Sequence, residues 1–301
     1  MNKFEKLKKN TRKEFLLIIK EQEEEIEYIF EEAAKEIEKN QNKISDIAAL
    51  LLFLKKLFSK MNSDIYSVIN KNLKKVIDVY GDIDLRYMTD ITSNEYILNS
   101  IEKYSDDNKK DVVNTILKGL IYADLLSLKK RCTKSINRTL NLLKKKVNDL
   151  SNKSDDITIS EIITDTENII NPKVKDKKLL YDANRLARTT LIHSVREIIK
   201  ENAKDNIFNI GIKWELSPDH FDRMPDGDEC DVYAENDMYG LGIGIFPVDE
   251  VPFQHINCLC SLYPVMLDYN IIAERIENWI NGASDNELED WIKQNEKGAD
   301  I

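Results

Sequence analysis

The sequence predicts a mostly α-helical protein that ends in a small α+β module, and three observations carry this fold class. Residues 1–171 contain no proline and only two glycines, Gly81 and Gly119, so little in them interrupts a helix. Apolar side chains in that stretch recur at steps of three and four. Beyond Ile210 the composition changes, with seven of the nine glycines and five of the six prolines lying there.

Phe4, Leu7, Thr11, Phe15, Ile18, Gln22, Ile26, Ile29, Ala33 and Ile37 form one mostly apolar stripe, which predicts a single amphipathic helix over 3–39. A second helix, over 45–80, has Ile65, Val68, Ile69, Leu73, Val76 and Ile77 on its later core face and stops at Gly81. Residues 82–110 read as polar and irregular, with a short helix beginning at 93–96 and a turn and cap at 105–108. Another long helix is expected over 111–150. A polar hinge at 151–156 follows, then a short helix over 160–170 that stops at Asn171 because Pro172 disfavours α geometry in the residue before it.

The last scaffold helix is expected over 176–205. Ile210, Ile212, Trp214 and Leu216 then alternate with Gly211, Lys213 and Glu215, the period of a half-buried strand. Two amphipathic helices close the chain over 268–295, the first stopped by Gly282 and the second opened by a capping box at Ser284-x-x-Glu287. The organisation expected is an extended helical, partner-binding region over 1–175 followed by a compact region over 176–301. The latter holds helix 176–205, a Gly/Pro-rich Cys/His module over 207–265 that reads as a metal knuckle, and the terminal helices.

The net charge of -10 conceals a division along the chain. Residues 1–210 carry 39 Lys/Arg against 34 Asp/Glu, whereas residues 211–301 carry 5 against 20, so the two regions must meet different surroundings. The longest apolar run, 47–54, is eight residues, well short of the about 18 that a membrane span needs. The basic start at 1–13 leads into a short apolar run and then into acids, unlike a signal peptide. A soluble, non-exported chain with no membrane partner is expected. Four cysteines in 301 residues, three of them clustered near a histidine, point to reduced or metal-bound thiols rather than a disulfide framework.

The stretch 214–264 holds three of the four cysteines and two of the three histidines. His255-x-x-Cys258-x-Cys260 sets three soft ligands close enough for one turn to aim them at a single ion. Cys230, on a polar loop upstream, is the preferred fourth ligand of a closed, structural zinc site, with His220, Asp228 and Asp231 as alternates. Such a staple would supply folding energy to a module with little apolar mass. A catalytic metal with an open position is the sharper alternative, but no His-Glu-x-x-His pattern accompanies the cysteines. The glycines of 239–244 read as turn formers, since no helix pattern follows them as a phosphate-cradling loop requires.

A second candidate surface is the basic run Lys129, Lys130, Arg131, Lys134, Arg138, Lys144, Lys145 and Lys146, with no acid between Asp124 and Asp149. Read as a phosphate-contacting helix it would bind double-stranded DNA; read as a solvated face it would pair with the acids of 21–38 or of the last region, and the second reading is preferred. Cys132 lies on the apolar stripe of that helix and reads as core. His193 reads as a helix-packing residue, Arg185 and Arg188 as a basic edge. Trp279 and Trp291, with Ile276, Ile280, Leu288 and Ile292, read as the inner faces of the terminal helices.

The order Trp214-x-Leu-Ser217-x-x-His220, Asp228-x-Cys230-Asp231-x-x-Ala234, Gly240-Leu-Gly-x-Gly244, Pro247, Pro252-x-x-His255-x-x-Cys258-x-Cys260, Tyr263-Pro264 resembles the phage head-morphogenesis family. These are the minor head (minor capsid) proteins similar to the F protein of phage Mu. Arg185-Leu-Ala-Arg188-Thr-Thr190 resembles the family's Ala-Arg-Thr segment, so the likeness covers about 180–264. Two departures stand out. Ile256 sits where members often have a proline, and Val232 and Tyr233 sit where a second cysteine often follows the first, which leaves the fourth ligand open; the retained first histidine slightly raises His220 as a substitute for Cys230.

The resemblance implies a phage or prophage protein of few copies, made with the portal protein and the major capsid or scaffold protein. It would act in procapsid assembly and DNA packaging or delivery. Its place would be the virion, inside the head or at the portal, and the host cytoplasm during assembly. The family's signature polar residues fall on His220, Asp228, Cys230, Asp231, His255, Cys258 and Cys260. No catalysis is required of such a protein. The rival expectations are a metal-dependent hydrolase or ADP-ribosyltransferase, with Arg188, His220 and Asp228 lining a pocket, and a DNA-binding module using the basic run.

Overall fold

The computed structural model describes residues 3–40, 47–118 and 178–295, with positions 134, 141, 145, 164, 166–168 and 170–172 between the last two stretches. The described chain is mostly helical with one small antiparallel sheet, the fold class expected. Helix α1 covers Lys3–Asn40 and α2 covers Ile47–Gly81. They are followed by α3 (Ile83–Met88), α4 (Glu95–Lys118) and α5 (Lys178–Asp205). After strand β1 (Asn209–Glu215) come the short helices α6 (His220–Arg223) and α7 (Glu229–Glu235). Strands β2 (Ile245–Phe246) and β3 (Ser261–Met266) precede the closing helices α8 (Tyr269–Ile280) and α9 (Asn286–Gln294).

The region 82–110 is not irregular. Apart from a connection at 89–94 it lies inside α3 and α4, and Ser105, expected in a turn, donates from mid-helix to the Gly81 carbonyl at 2.7 Å. Of the basic run, Lys134 and Lys145 are helical and exposed, while Lys129, Lys130, Arg131, Arg138, Lys144 and Lys146 lie outside the described residues, as do Cys132 and the hinge at 151–156. The boundary expected at 175/176 also lies outside them.

The chain forms two compact units. One consists of Ile19–Asn72 and Gly119–Thr190. Within it Ile26, Phe30, Ala33 and Ile37 of α1 and Leu50, Leu54, Phe58, Met61 and Ile65 of α2 are buried, as their helical spacing requires. Lys71 donates to Glu25 at 2.9 Å, and Arg188 pairs with Glu23, so Arg188 is engaged within this unit.

The other unit consists of Met1–Ile18, Leu73–Lys118 and Leu191–Ile301. One apolar cluster in it joins Tyr87 and Met88 of α3, Ile97, Ile101 and Tyr104 of α4, Phe208, and the inner faces of α8 and α9, including Trp291. Trp291 also donates its indole N–H to the Asp205 carbonyl at 2.6 Å, satisfying the one polar atom of its buried ring. Asp84 is fully enclosed here. Burial raises its carboxyl pKa, against the hydrogen bonds donated by Asn206 at 3.0 Å and Tyr104 at 2.9 Å.

The sheet has the order β2-β1-β3, all antiparallel, with Trp214 opposite Leu262 and Ile212 opposite Phe246. Ile212 and Trp214 are buried as the alternation predicts, but Ile210 is 45% exposed. The register shifts between Asn209 and Gly211, and a bulge there turns Ile210 off the buried face. The start of α1 closes the β3 side, where Lys8 pairs with Glu215 and Arg12 donates to the Leu259 carbonyl.

The cap of α9 is Asp285 rather than Ser284, one residue later than the capping box placed it. Asp285 accepts from Leu288 N at 3.0 Å and takes a two-pronged contact from Arg275 of α8 at 2.6 and 2.9 Å. The Arg275 guanidinium lowers the Asp285 carboxyl to about 2, outweighing its partial burial. A group whose pKa falls on folding stabilises the fold above its unfolded value and loses that contribution as pH drops through the folded one. Asp285→Ala is therefore expected to lower stability by about 1–2 kcal/mol at neutral pH, and denaturant unfolding should show the gap to the unsubstituted protein closing between about pH 4 and pH 2.

Gly244 tests the turn before β2. It has φ +66, and a Cβ there would lie 2.8 Å from the Ala234 carbonyl oxygen and 3.1 Å from that of Trp214. Gly244→Ala should cost about 1–3 kcal/mol in chemical denaturation. Gly240→Ala, also at positive φ but in open space, should cost less.

Candidate metal centre

Three separate pieces of chain meet below the sheet, and each is shaped by local hydrogen bonds. After β1, the turn at Ser217, closed by His220 N donating to the Ser217 carbonyl at 2.9 Å, starts α6 and buries His220. Next, Asp228 caps α7. Its carboxylate accepts from Cys230 N at 2.7 Å, and the Asp231 carboxylate accepts from Asp228 N at 2.7 Å. This is a reciprocal capping box built from two aspartates, and it fixes Cys230 in the first helical turn facing inward. The third piece is the knuckle 255–260, in which Cys258 N donates to the His255 carbonyl at 3.1 Å and Cys260 N reaches the Cys258 sulfur at 3.3 Å. Asn257 takes φ +66 at its tip, a left-handed conformation that asparagine tolerates better than most residues.

Arginines from three elements hold the backbone on either side of the sulfurs. Arg196 of α5 donates to the carbonyls of Pro252 at 3.1 Å and Val251 at 2.6 Å, with its guanidinium 4.0 Å above the Phe253 ring. Arg223 of α6 donates to the Asn257 carbonyl at 2.6 Å, and Arg12 of α1 to that of Leu259. His193 Nε2 lies 2.9 Å from the Gln254 carbonyl oxygen, and the Gln254 side-chain amide donates to the Cys260 carbonyl at 2.7 Å. His193 therefore braces the strand entering the knuckle, beyond the packing role its sequence position suggests.

All seven residues singled out around the cysteines come together. Cys230, Cys258 and Cys260 are buried free thiols, with 3.7 Å between the sulfurs of Cys230 and Cys258. His255 joins them, its ligand atom and those of Cys230 and Cys258 all lying within 4.8 Å of one another. Cys260 Sγ is 3.6 Å from His220 Nδ1. Asp228 and Asp231 stand behind the imidazoles: His255 Nε2 is 3.0 Å from Asp228, and His220 Nε2 is 3.2 Å from Asp231. His220, Asp228 and Asp231 make a second group of mutually close ligand atoms. The four residues Cys230, His255, Cys258 and Cys260 are thus a cluster that could hold a metal ion.

The charges of the cluster follow from its crowding. Hydrogen bonds from Cys230 and Cys258, with the nearby His220 ring adding to them, hold the Cys260 thiol far below its usual range. Cys230 is pushed up by the bonds it gives to Cys258 and Cys260 and by burial. For Cys258 the bond from Cys230 pulls downward, but the bond to Cys260 and burial outweigh it and leave the thiol at about 12. Burial pushes the His220 pKa down, yet the bond to Asp231 and the Cys260 charge raise it overall.

Arg196, Arg223, Arg12 and Gln254 were not singled out in the sequence. The one signal for Arg196 is that it interrupts a stretch of α5 that is apolar on more than one face, Leu191–Ile192 and Val195 through Ile199, where a charge needs buried partners. Comparison of the chain with protein-family models, with curated proteins and with solved structures finds no match in any of the three.

Arg196→Met should strip the Val251 and Pro252 carbonyls of their donors. Equilibrium unfolding should register a loss of about 2–4 kcal/mol, with faster proteolysis inside 207–265, and Arg196→Lys should recover only part of it because an ammonium lacks the planar fork.

Proposed function

We propose that residues 207–265 form a zinc-stapled structural module and that the protein is a phage or prophage minor head protein. In this reading it acts through contacts with the portal and capsid during procapsid assembly and DNA packaging or delivery, in the virion and, during assembly, in the host cytoplasm. The observation that carries the zinc reading is a pair of distances. Around a tetrahedral zinc with bonds near 2.3 Å to sulfur and 2.0–2.1 Å to nitrogen, neighbouring sulfurs lie about 3.8 Å apart and a sulfur–nitrogen edge about 3.5 Å. The separations here are 3.7 Å for Cys230 to Cys258 and 3.6 Å for Cys260 to His220 Nδ1. Three thiolates and the buried His220 would close the shell, and Asp231 would orient the imidazole from behind as outer-shell carboxylates do.

His255, the histidine of the set expected from sequence, lies at the rim, about a third exposed, with Nδ1 directed at the Ile256 carbonyl at 3.1 Å. It stands as the second imidazole beside the ion. Bound zinc would supply folding free energy to a module whose helices α6 and α7 are four and seven residues long. The minor head role is supported by the order of the motif residues across 214–264 and by a closed ligand set of structural type. The charge division also fits, since it keeps the acidic module away from packaged DNA.

Zinc analysis of the purified chain should give one ion per molecule. Cys258→Ser/Cys260→Ser should abolish binding and open 207–265 to protease, while helicity elsewhere persists. His220→Ala should weaken zinc binding by about 100-fold and His255→Ala by about tenfold or less; the reverse order would assign the fourth position to His255. Co-expression with a phage portal protein and major capsid protein should place the chain in sedimenting procapsids. Its absence from them, with zinc bound, would remove the head role and leave the module.

A further inference from the structure

The segment following Cys230 presents an apolar face that the zinc reading does not use. Val232 on α7 is 50% exposed, and the loop after α7 exposes Met238 (52%), Tyr239 (42%), Leu241 (41%) and Ile243 (59%). A flexible loop could expose such residues by chance, but this one is tied at almost every step. Asn236 donates its side-chain amide to the Val232 carbonyl at 2.9 Å, and Gly242 N donates to the Asp237 carboxylate at 3.1 Å. Gly244 N donates to the Asn236 carbonyl at 2.8 Å, and Ile245 N to that of Gly242 at 3.0 Å. Lys213 holds the Ile243 carbonyl, and the Tyr239 ring rests on Phe246 with centroids 5.7 Å apart. The backbone is therefore fixed with these side chains pointing outward. Ordered exposure of five large apolar side chains between Val232 and Ile243 points to an interaction surface, and pre-ordering lowers the entropy lost on docking.

Charge selects the occupant. From Met224 to Ile243 there are six acids and no lysine or arginine, and Asp226, Glu229, Glu235 and Asp237 are exposed around the patch. A second copy would bring the same acids against them, and a nucleic acid or an anionic lipid surface would be repelled. An apolar surface with a methionine and an acidic rim suits an amphipathic helix whose other face is rich in lysine and arginine. We propose that Val232, Met238, Leu241 and Ile243 form a docking face for a basic amphipathic helix of a partner protein, with Glu235 and Asp237 meeting its cations.

The test uses the full-length chain and three labelled synthetic peptides: a helix with leucine on one face and lysine on the other, the same helix with its lysines replaced by glutamate, and the lysine helix with its leucines replaced by serine. Fluorescence anisotropy should show saturable, salt-weakened binding of the first peptide only. Leu241→Asp/Ile243→Asp should weaken that binding at least about tenfold, and Ile271→Asp, an exposed site on α8, should leave it unchanged. Should the double variant fail to fold, Ile243→Ser serves in its place, with a smaller loss in the same direction. Equal binding of the serine peptide would mean charge alone is read and would overturn the proposal, as would binding indifferent to Leu241 and Ile243. So would self-association in sedimentation, or capture by phosphatidylglycerol vesicles, that the double variant abolishes. Zinc content is measured on the same samples, so failure of the docking face and failure of the zinc module are read separately.

Discussion

The structure of the last third of this chain depends on bringing three sulfurs and the His220 imidazole, from segments 220–223, 228–235 and 255–260, to one buried point with the His255 imidazole at its rim. Apolar packing reaches them through Tyr233 of α7, whose ring meets Trp214 and Phe246 at centroid distances of 5.1 and 6.0 Å. α6 is four residues and α7 seven, each too short to be stable alone, and much of their surface is exposed. What holds the backbone is polar. Arginines from α1, α5 and α6 occupy the carbonyls of Val251, Pro252, Asn257 and Leu259, and two aspartates cap α7 reciprocally. Each of these bonds satisfies a backbone group that burial would otherwise leave unpaired. The side chains are then free to face inward.

That arrangement is electrostatically incomplete by itself. Three thiols crowd together in a buried site, where ionising one beside another is disfavoured. Asp228 and Asp231 add negative charge behind the histidines, within a region that already carries 20 acids against 5 bases. A bound divalent cation would reverse the balance: it would favour all three thiolates, and the carboxylates would then reinforce the imidazoles instead of competing with the sulfurs. The acidity of the module and its cysteines are in this sense parts of one design.

Much of this was legible in the chain. Long helices followed from the absence of glycine and proline and from the three-four spacing of residues such as Phe15, Ile26 and Ile37, which the structure buries. The cysteine cluster was legible because His255, Cys258 and Cys260 fall within six residues. Less legible was anything set by distant partners. Ser105 and Asn108 read as part of a turn, yet they bond distant partners, Gly81 in the case of Ser105 and Asn202 and Asp205 in that of Asn108. Ile210 matched the strand alternation, but a bulge that no local residue announces turned it outward. The arginine supports of the knuckle were invisible for the same reason, since Arg12 and Leu259 are separated by 247 positions.

The buried knot and the exposed apolar face are coupled through α7. Cys230 and Val232 are two residues apart on one short helix, so the turn that points the sulfur inward also sets the direction in which Val232 points. The loop carrying Met238 to Ile243 hangs from the end of that helix through Asn236, which bonds both Val232 and Gly244. Were α7 to fray, the sulfur and the apolar side chains would lose their orientation together. The knuckle therefore does more than pack a small module: through α7 it sets the direction in which an acidic, apolar surface faces.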